Sequence, residues 1–417
     1  MNPLYNLAIH LYAGAAKLAA LRSPKVKEMI EGQRATLRDL RDERRRVAPD
    51  GYDVWIHAAS LGEFEQGRPL IERLSRERPE LKILLTFFSP SGYRVRKNYD
   101  KVATVAYLPF DTPARVEAFL DAAVPKMAIF VKYEFWGNYL GQLAARRIPT
   151  YLISGIFRDS QRFFRKGCGW AREMLGDFRH LYVQDEHSRQ LLAGIGLDNV
   201  TAAGDTRFDR VTDIMAQTRS IPIAERFVKD SPFTLIAGSS WQPDEDLYIP
   251  WLKAHPEVRA IIAPHEFDSR RLAALVKRFD GQARLLSSLD FADDLTGSER
   301  VLIVDSFGLL SSIYRYGDLA WVGGGFGVGI HNINEAAVYG IPVVFGPKHQ
   351  KFKEASDLIA CGGAREVADQ ASATATLDRL LADKALRTKS GKAAADYIQR
   401  NIGATDRIYA DLFQKRP

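Results

Sequence analysis

The chain has 417 residues, 46% hydrophobic and 26% charged, a length that suits two domains at roughly 100 to 200 residues each and a composition that excludes a disordered, collagenous or disulfide-stapled chain. Its two cysteines, Cys168 and Cys361, exclude a disulfide framework or a four-cysteine zinc site and fit a reducing compartment. The formal net charge of +7 points to an anionic partner, but Met1 to Arg46 alone hold ten Lys or Arg against five Asp or Glu, so most of the excess is terminal and no basic stripe interleaved with aromatics marks a nucleic-acid surface.

In chain order, residues 3–21 predict one helix with Leu4, Leu7, Leu11 and Leu18 on a single face and Tyr5 and Tyr12 as amphipathic anchors. Asn6, His10 and Lys17 interrupt the run before the ~20 apolar residues a bilayer span needs, and no cleavable signal pattern follows. The basic stretch after it (Arg22, Lys25, Lys27, Arg34, Arg38, Arg41, Arg44, Arg45, Arg46) would face anionic headgroups at about 1 kcal/mol per charge. The alternative is a helix packed on the domain with a solvated charged tail. From Val54 short apolar runs alternate with amphipathic stretches (VWIHAA, EFEQGRPLIERLSRER, LKILLTFF, MAIFVKYEF, IPTYLISG, HLYVQDE), the pattern of a parallel sheet covered on both faces. A polar passage over 205–232 reads as a hinge, and a second series follows (FTLIAGSS, VRAIIAPHE, ERVLIVDS, DLAWVGGG, GIPVVFGP). The expected organisation is an amphipathic, basic segment over 1–46, an acceptor-binding domain over 47–215 and a nucleotide-sugar domain over 216–417. The fold class is α/β: two doubly wound sheets facing across a cleft, with ligands at the carboxyl ends of strands.

Two loops after strands stand out. Glycines 323, 324, 325, 327 and 329 precede HNINEAAVYG, which reads as a helix; glycines allow close backbone approach, and the amides and dipole of a helix start favour an anion. Neither GxGxxG spacing nor a P loop is present, and glycines that merely pack helix on sheet are the alternative. Glu335, in that helix's first turn, can accept from a ribose diol or simply compensate the dipole. The second loop is SLGE, Ser60 to Glu63, where Glu63 can serve as a general base or as the far half of a capping box with Ser60; a helix start lowers a carboxylate pKa unless burial opposes it. The eight histidines form no HExxH, and the DxD of Asp244, Glu245 and Asp246 suits a helix's acidic first turn better than a metal.

The series WIHAASLGEFEQGRPLI, FVKYEFWGNYL, LISGIFRDS, QDEHSRQLLAGIG, GDTRFD, IAGSSW, IAPHEF, DSFGLLSSIY and GGGFGVGIHNINEAAVYGIPVVFGP resembles, in order and over nearly the whole chain, the 3-deoxy-D-manno-octulosonic acid (Kdo) transferases of Gram-negative bacteria. The resemblance implies the GT-B glycosyltransferase architecture, CMP-Kdo as donor, the lipid A precursor as acceptor and the anionic cytoplasmic face of the inner membrane as the place of work, with no cofactor, metal or nucleic acid. It places the proton acceptor on Glu63, the transition-state glutamate on Glu134 and the GNLKFD lysine on Arg207. It places donor binding on Pro264 and His265, on Phe307, Gly308 and Leu309, on Gly325, and on the NxxE run Asn332, Ile333, Asn334 and Glu335. Two departures concern the donor: the family's PRH reads Pro264, His265 without the arginine, and its methionine, glycine, glutamate element reads Phe307, Gly308, Leu309. Arg207 keeps charge but not lysine geometry.

The expected chemistry is an inverting displacement in which Glu63 removes the acceptor's hydroxyl proton as CMP leaves. The alternatives are a transferase or epimerase of the same architecture using a UDP-sugar, and a non-catalytic basic binding protein.

Overall fold

A computed structural model describes residues 3–165, 167–218, 220–291 and 295–414. The apolar runs form two seven-stranded, all-parallel sheets in two units, one comprising 1–210 and 402–417 and the other 211–401. The first sheet is built from β1 (Val54–His57), β2 (Ile83–Phe87), β3 (Thr104–Tyr107), β4 (Ala128–Val131), β5 (Thr150–Gly155), β6 (His180–Val183) and β7 (Val200–Ala202), in the order β3-β2-β1-β4-β5-β6-β7. The second is built from β8 (Thr234–Ser240), β9 (Arg259–Pro264), β10 (Ala283–Leu285), β11 (Val301–Ile303), β12 (Leu319–Val322), β13 (Val343–Phe345) and β14 (Ala364–Glu366), in the order β10-β11-β9-β8-β12-β13-β14.

Because successive strand residues point to opposite faces, β1 sends Trp55 into one core, against Phe119, Phe130 and Tyr139, and Val54 and Ile56 into another with Phe64 and Leu70. Burial on both faces is why the strands read as continuous apolar runs rather than as alternation. In the first sheet the chain walks outward from β1 to β3 and restarts on the other side of β1; in the second it runs from β8 to β9, places β10 at the edge, inserts β11 between β9 and β10, and restarts on the other side of β8. That reversal falls between β1 and β4 in the first domain and between β8 and β12 in the second. Helices covering the neighbouring faces diverge there, so the carboxyl ends of those strands are where a ligand finds room.

The amino-terminal segment is not one helix with a solvated tail. Helix α1 (Pro3–Ala19) ends before Ser23, whose hydroxyl accepts from Val26 N (3.4 Å) and starts α2 (Pro24–Val47) with proline in its first turn. Helix α2 packs on β3: Tyr107 N donates to Thr36 Oγ1 at 3.1 Å, and a Cβ on Gly32 would meet the Tyr107 ring at 2.2 Å. The sheet's edge strand is thereby covered, and much of the basic stretch belongs to the first domain. Tyr5 fastens α1, donating to the buried Asp111 at 2.6 Å and accepting from Gly137 N at 3.0 Å. No helix of the described residues is long and apolar enough to cross a membrane.

The carboxyl terminus also differs from the expected 216–417 domain. Helix Lys384–Asn401 closes the second unit, and from Ile402 the chain rejoins the first. Gly403, at φ +93°, lets its own amide and that of Thr405 reach the two carboxylate oxygens of Asp209 (2.5 and 2.7 Å), and Arg73 lies 4.2 Å over the Tyr409 ring. The other boundary falls inside helix Thr206–Ala216.

Candidate active site

In the first domain three carboxyl-end loops converge at the strand reversal. His57, the last residue of β1, is wholly buried beside Thr86 in the β1–β2 register. Its Nε2 lies 3.1 Å from Glu134 Oε2, in the loop after β4, and Trp136 Nε1 donates to the same oxygen at 2.5 Å. Lys132, between β4 and Glu134, holds φ +69°; Ser154 at the end of β5 is also left-handed (φ +52°), with its hydroxyl 2.9 Å from that of Thr206. Non-glycine residues in this region of backbone space are strained and gather where a site over-determines them.

Glu63 enters from α3 (Leu61–Glu77). The capping box is real: Ser60 Oγ accepts from Glu63 N (3.4 Å), while Glu63 Oε2 accepts from Ser60 N (3.0 Å) and Ser60 Oγ (3.1 Å). Among the described residues Oε1 takes no hydrogen bond. The carboxyl is half-buried and its pKa is raised from 4.5, first by burial and then by the Glu134 charge, against the lowering effects of Ser60, His57 and Lys132. Burial therefore outweighs the helix start at this position. Arg207 sits nearby with less reach than the sequence implies: Asp205 takes its Nε and Nη2 at 2.8 and 2.7 Å. The half-buried Tyr133 has its pKa raised, by burial first, and lies within electrostatic reach of Arg158, Arg207, Glu63 and Asp205. Tyr133 also lines, with Tyr5, Phe135, Arg162, Arg165 and Trp170, a cavity of about 600 Å³. Glu63, Glu134 and Arg207 are thus brought to one end of one sheet.

In the second domain the corresponding reversal carries a different chemistry. Trp241, directly after β8, donates from Nε1 to His331 Nε2 at 3.1 Å, and the exposed His265 ring stacks at 4.5 Å on both. Rings bonded edge to edge cannot sandwich a third, so His265 lies over one face of the pair. His331 has its pKa lowered to about 4, by burial first and His265 second. Asp244, wholly buried, joins the glycine loop to β8 by accepting from Gly324 N and Trp241 N, both at 3.0 Å. Glu245 pairs with Arg271 and Asp246 with Arg278.

The glycine loop itself differs from expectation in two ways. A Cβ on Gly323 would lie 2.3 Å from Ser239 O, and one on Gly325 would lie 2.6 Å from Gly346, so close backbone packing requires both. The amides of Gly323, Gly324, Gly327 and Gly329 are already bonded, to Gly238 O, Asp244, and Gly324 O twice. The helix that follows is one turn, Asn334–Ala337, too short for a macrodipole site. Glu335 is held by Asn332 Nδ2 (3.0 Å) and Ser311 Oγ (2.7 Å), while the buried Asn334 side-chain amide has no hydrogen-bond partner among the described residues. Ile333 is buried behind it and Gly325 lies in the loop proper. Pro264 ends β9 beneath His265; Phe307 is 86% exposed and meets Phe267 edge to face at 4.6 Å. Gly308 is left-handed (φ +84°), and Leu309 leads into the short helix that carries Ser311.

Sequence patterns missed His57, Thr86, Tyr133, Trp136, Arg158 and Arg162 in the first domain, and Trp241 and His331 in the second. Tyr133 and Trp136 follow β4 and Trp241 follows β8, so their position after a strand beside a reversal was an available signal; Thr86, inside β2, had none.

A family model described as 3-deoxy-D-manno-octulosonic-acid transferase (kdotransferase) matches residues 28–210. The chain is similar to the 3-deoxy-D-manno-octulosonic acid transferases of Bordetella pertussis (29% identical over 387 residues, 87% of each chain) and Haemophilus influenzae (27% over 375 residues, 86% of each). It is also similar to that of Aquifex aeolicus (25% over 358 residues, 83% of this chain and 92% of that one). Among solved structures, UDP-GlcNAc 2-epimerase from Neisseria meningitidis superposes with a TM-score of 0.59 at 14% identity, covering 87% of this chain and 100% of that one. MurG from Acinetobacter baumannii gives 0.55 at 13%, covering 88% and 100%. The last two show the fold, two doubly wound α/β domains of the GT-B type. With the motifs in order, the family model over residues 28–210 and relatives aligned over most of its length, the chain is similar to the 3-deoxy-D-manno-octulosonic acid transferases.

Proposed function

We propose that this protein transfers Kdo from CMP-Kdo to the lipid A precursor in lipopolysaccharide synthesis, with inversion. The observation that carries the reading is the half-buried Glu63, whose Oε2 is fixed by Ser60 while Oε1 stays open and whose affinity for a proton is raised by burial and Glu134. Oε1 takes the proton of an acceptor hydroxyl as that oxygen bonds to the anomeric carbon, and the bond from that carbon to the phosphate oxygen breaks, releasing CMP. A positioned base supplies about 10²- to 10⁴-fold. Glu134, held by His57 and Trp136, stabilises the positive charge that develops on the sugar.

The second domain holds the nucleotide. Glu335 and Asn332 bind the ribose, and the loop from Gly323 to Gly329 lets the phosphate approach. Because most loop amides are already bonded, the phosphate charge is met by side chains. Lys348 is one such cation: its Nζ lies 3.4 Å from Phe326 O, and its backbone N donates to Gly325 O at 2.9 Å. The first domain rests on the anionic membrane surface through α1, whose Leu4, Leu7, Leu11 and Leu18 are 73%, 57%, 65% and 71% exposed.

Incubation with CMP-Kdo and lipid A precursor, followed by mass measurement, is expected to show addition of Kdo. A thermal shift with CMP but not UDP is expected as well; stabilisation by UDP with no Kdo transfer would move the assignment to a UDP-sugar enzyme.

A further inference from the structure

We propose that Trp55, Thr86 and His57 form a buried, one-directional hydrogen-bond chain that keeps the His57 proton on Nε2, aimed at Glu134, and so supplies that glutamate with a fixed donor beside Trp136. The donor-only indole sets the direction. Trp55 Nε1 lies 2.8 Å from Thr86 Oγ1 and can only donate, so the hydroxyl accepts there. His57 Nδ1 lies 2.9 Å from the same hydroxyl. With the hydroxyl proton directed to Nδ1, the neutral ring carries its own proton on Nε2, 3.1 Å from Glu134 Oε2. The opposite assignment leaves the Thr86 hydroxyl proton buried without an acceptor and turns the Nε2 lone pair on a carboxylate. Thr86 O, 3.1 Å from Nδ1, already takes the amide of Ala58 at 3.1 Å. Trp55, Thr86 and His57 are each wholly buried, so water does not rescue the other assignment. Glu63 acts electrostatically on both Glu134 and His57, and Lys132 acts on Glu63 in turn, with Trp136 as the second donor to Glu134.

The three are positioning residues, and their catalytic consequence rests on the role proposed for Glu134. Replacing Thr86 by Val keeps its shape and removes the hydroxyl. Nδ1 then takes the proton and donates to the carbonyl of residue 86, Nε2 becomes an acceptor, and Glu134 keeps only Trp136 as donor.

Imidazole nitrogen NMR of protein labelled at histidine, with His57 assigned by His57→Gln, reads the tautomer directly. The wild type is expected to show Nε2–H, Thr86→Ser the same, and Thr86→Val a change to Nδ1–H. Kinetically, kcat should fall about 100-fold in Thr86→Val, the cost of one lost preorganised electrostatic contact, with KM for CMP-Kdo little changed and Thr86→Ser near wild type. A wild-type ring protonated on Nδ1 or on both nitrogens, or a tautomer unmoved in Thr86→Val, overturns the chain; a moved tautomer with unchanged kcat overturns its part in turnover. If the wild type transfers no Kdo at all, the functional assignment fails, while the tautomer measurement still decides the chain.

Discussion

Glu63 divides its two oxygens between structure and chemistry, which makes its substitution informative. In Glu63→Gln the amide oxygen still accepts from Ser60, so the helix start should lose no more than about 1 kcal/mol, while turnover should drop by about 10²- to 10⁴-fold; equal losses in melting temperature and kcat would show that capping is all it does. The base must be ionised, and its pKa lies above 4.5, so activity should rise with pH through a value above that of an ordinary glutamate. Glu134→Gln removes one of the two raising influences, so the Glu63 carboxyl carbon, followed by NMR against pH, should titrate at lower pH than in the wild type. The SxxE spacing made Glu63 legible in the sequence because a capping box is a local pattern. His57 and Thr86 were illegible for the opposite reason: they are neighbours only through the β1–β2 register, and both lie within runs that read simply as strand.

Among elements, α1 is tied to the domain by one buried carboxylate. Asp111 accepts from Tyr5 Oη, Asn138 N (3.0 Å) and Tyr139 N (2.9 Å), yet burial still raises its pKa from 3.8 to about 6. The native state therefore holds this proton at pH values where the unfolded chain has lost it. Its stabilising contribution is complete below about pH 3.8 and is lost as pH rises through about 6, a difference of about 3 kcal/mol. Denaturant midpoints between pH 4 and 7 should show that fall, and Asp111→Asn should flatten it. A flat wild-type profile would mean the ion is better solvated than its 0% exposure implies. The glycine loop makes a second test at this scale. Gly323→Ala forces a Cβ against the Ser239 carbonyl and should cost about 1 to 3 kcal/mol, with loss of CMP stabilisation. The five glycines were legible as a special backbone. Their reason was only half legible, because Asp244, read as a helix cap, also takes the Gly324 amide; loop and acid are 80 residues apart.

Across the whole molecule, both sheets place their candidate residues at or after the carboxyl ends of strands, and this much followed from the order of apolar runs, since parallel strands buried on both faces announce themselves by composition. What did not follow was the traffic at the two termini: the return of the chain to Asp209 after Asn401, and the docking of α2 on β3, where a charge-rich helix hides a narrow buried face of Met29, Ile30, Gln33, Thr36 and Leu40. That docking alters the membrane argument. Arg38, Arg45 and Arg46 are paired on α2 with Asp39, Asp42 and Glu43, so fewer net charges remain to meet headgroups, each worth about 1 kcal/mol and screened by salt. The outward leucines of α1 are worth more, about 1.5 to 3 kcal/mol each when buried, and salt does not screen them. Flotation with vesicles containing anionic lipid should therefore retain the protein in 0.1 M and about 0.5 M salt alike, and Leu7→Asp with Leu11→Asp should abolish retention while kcat on a short-chain soluble acceptor is kept. Release of the wild type by salt alone, with the double variant still bound, would put the basic helix rather than the leucine face at the bilayer.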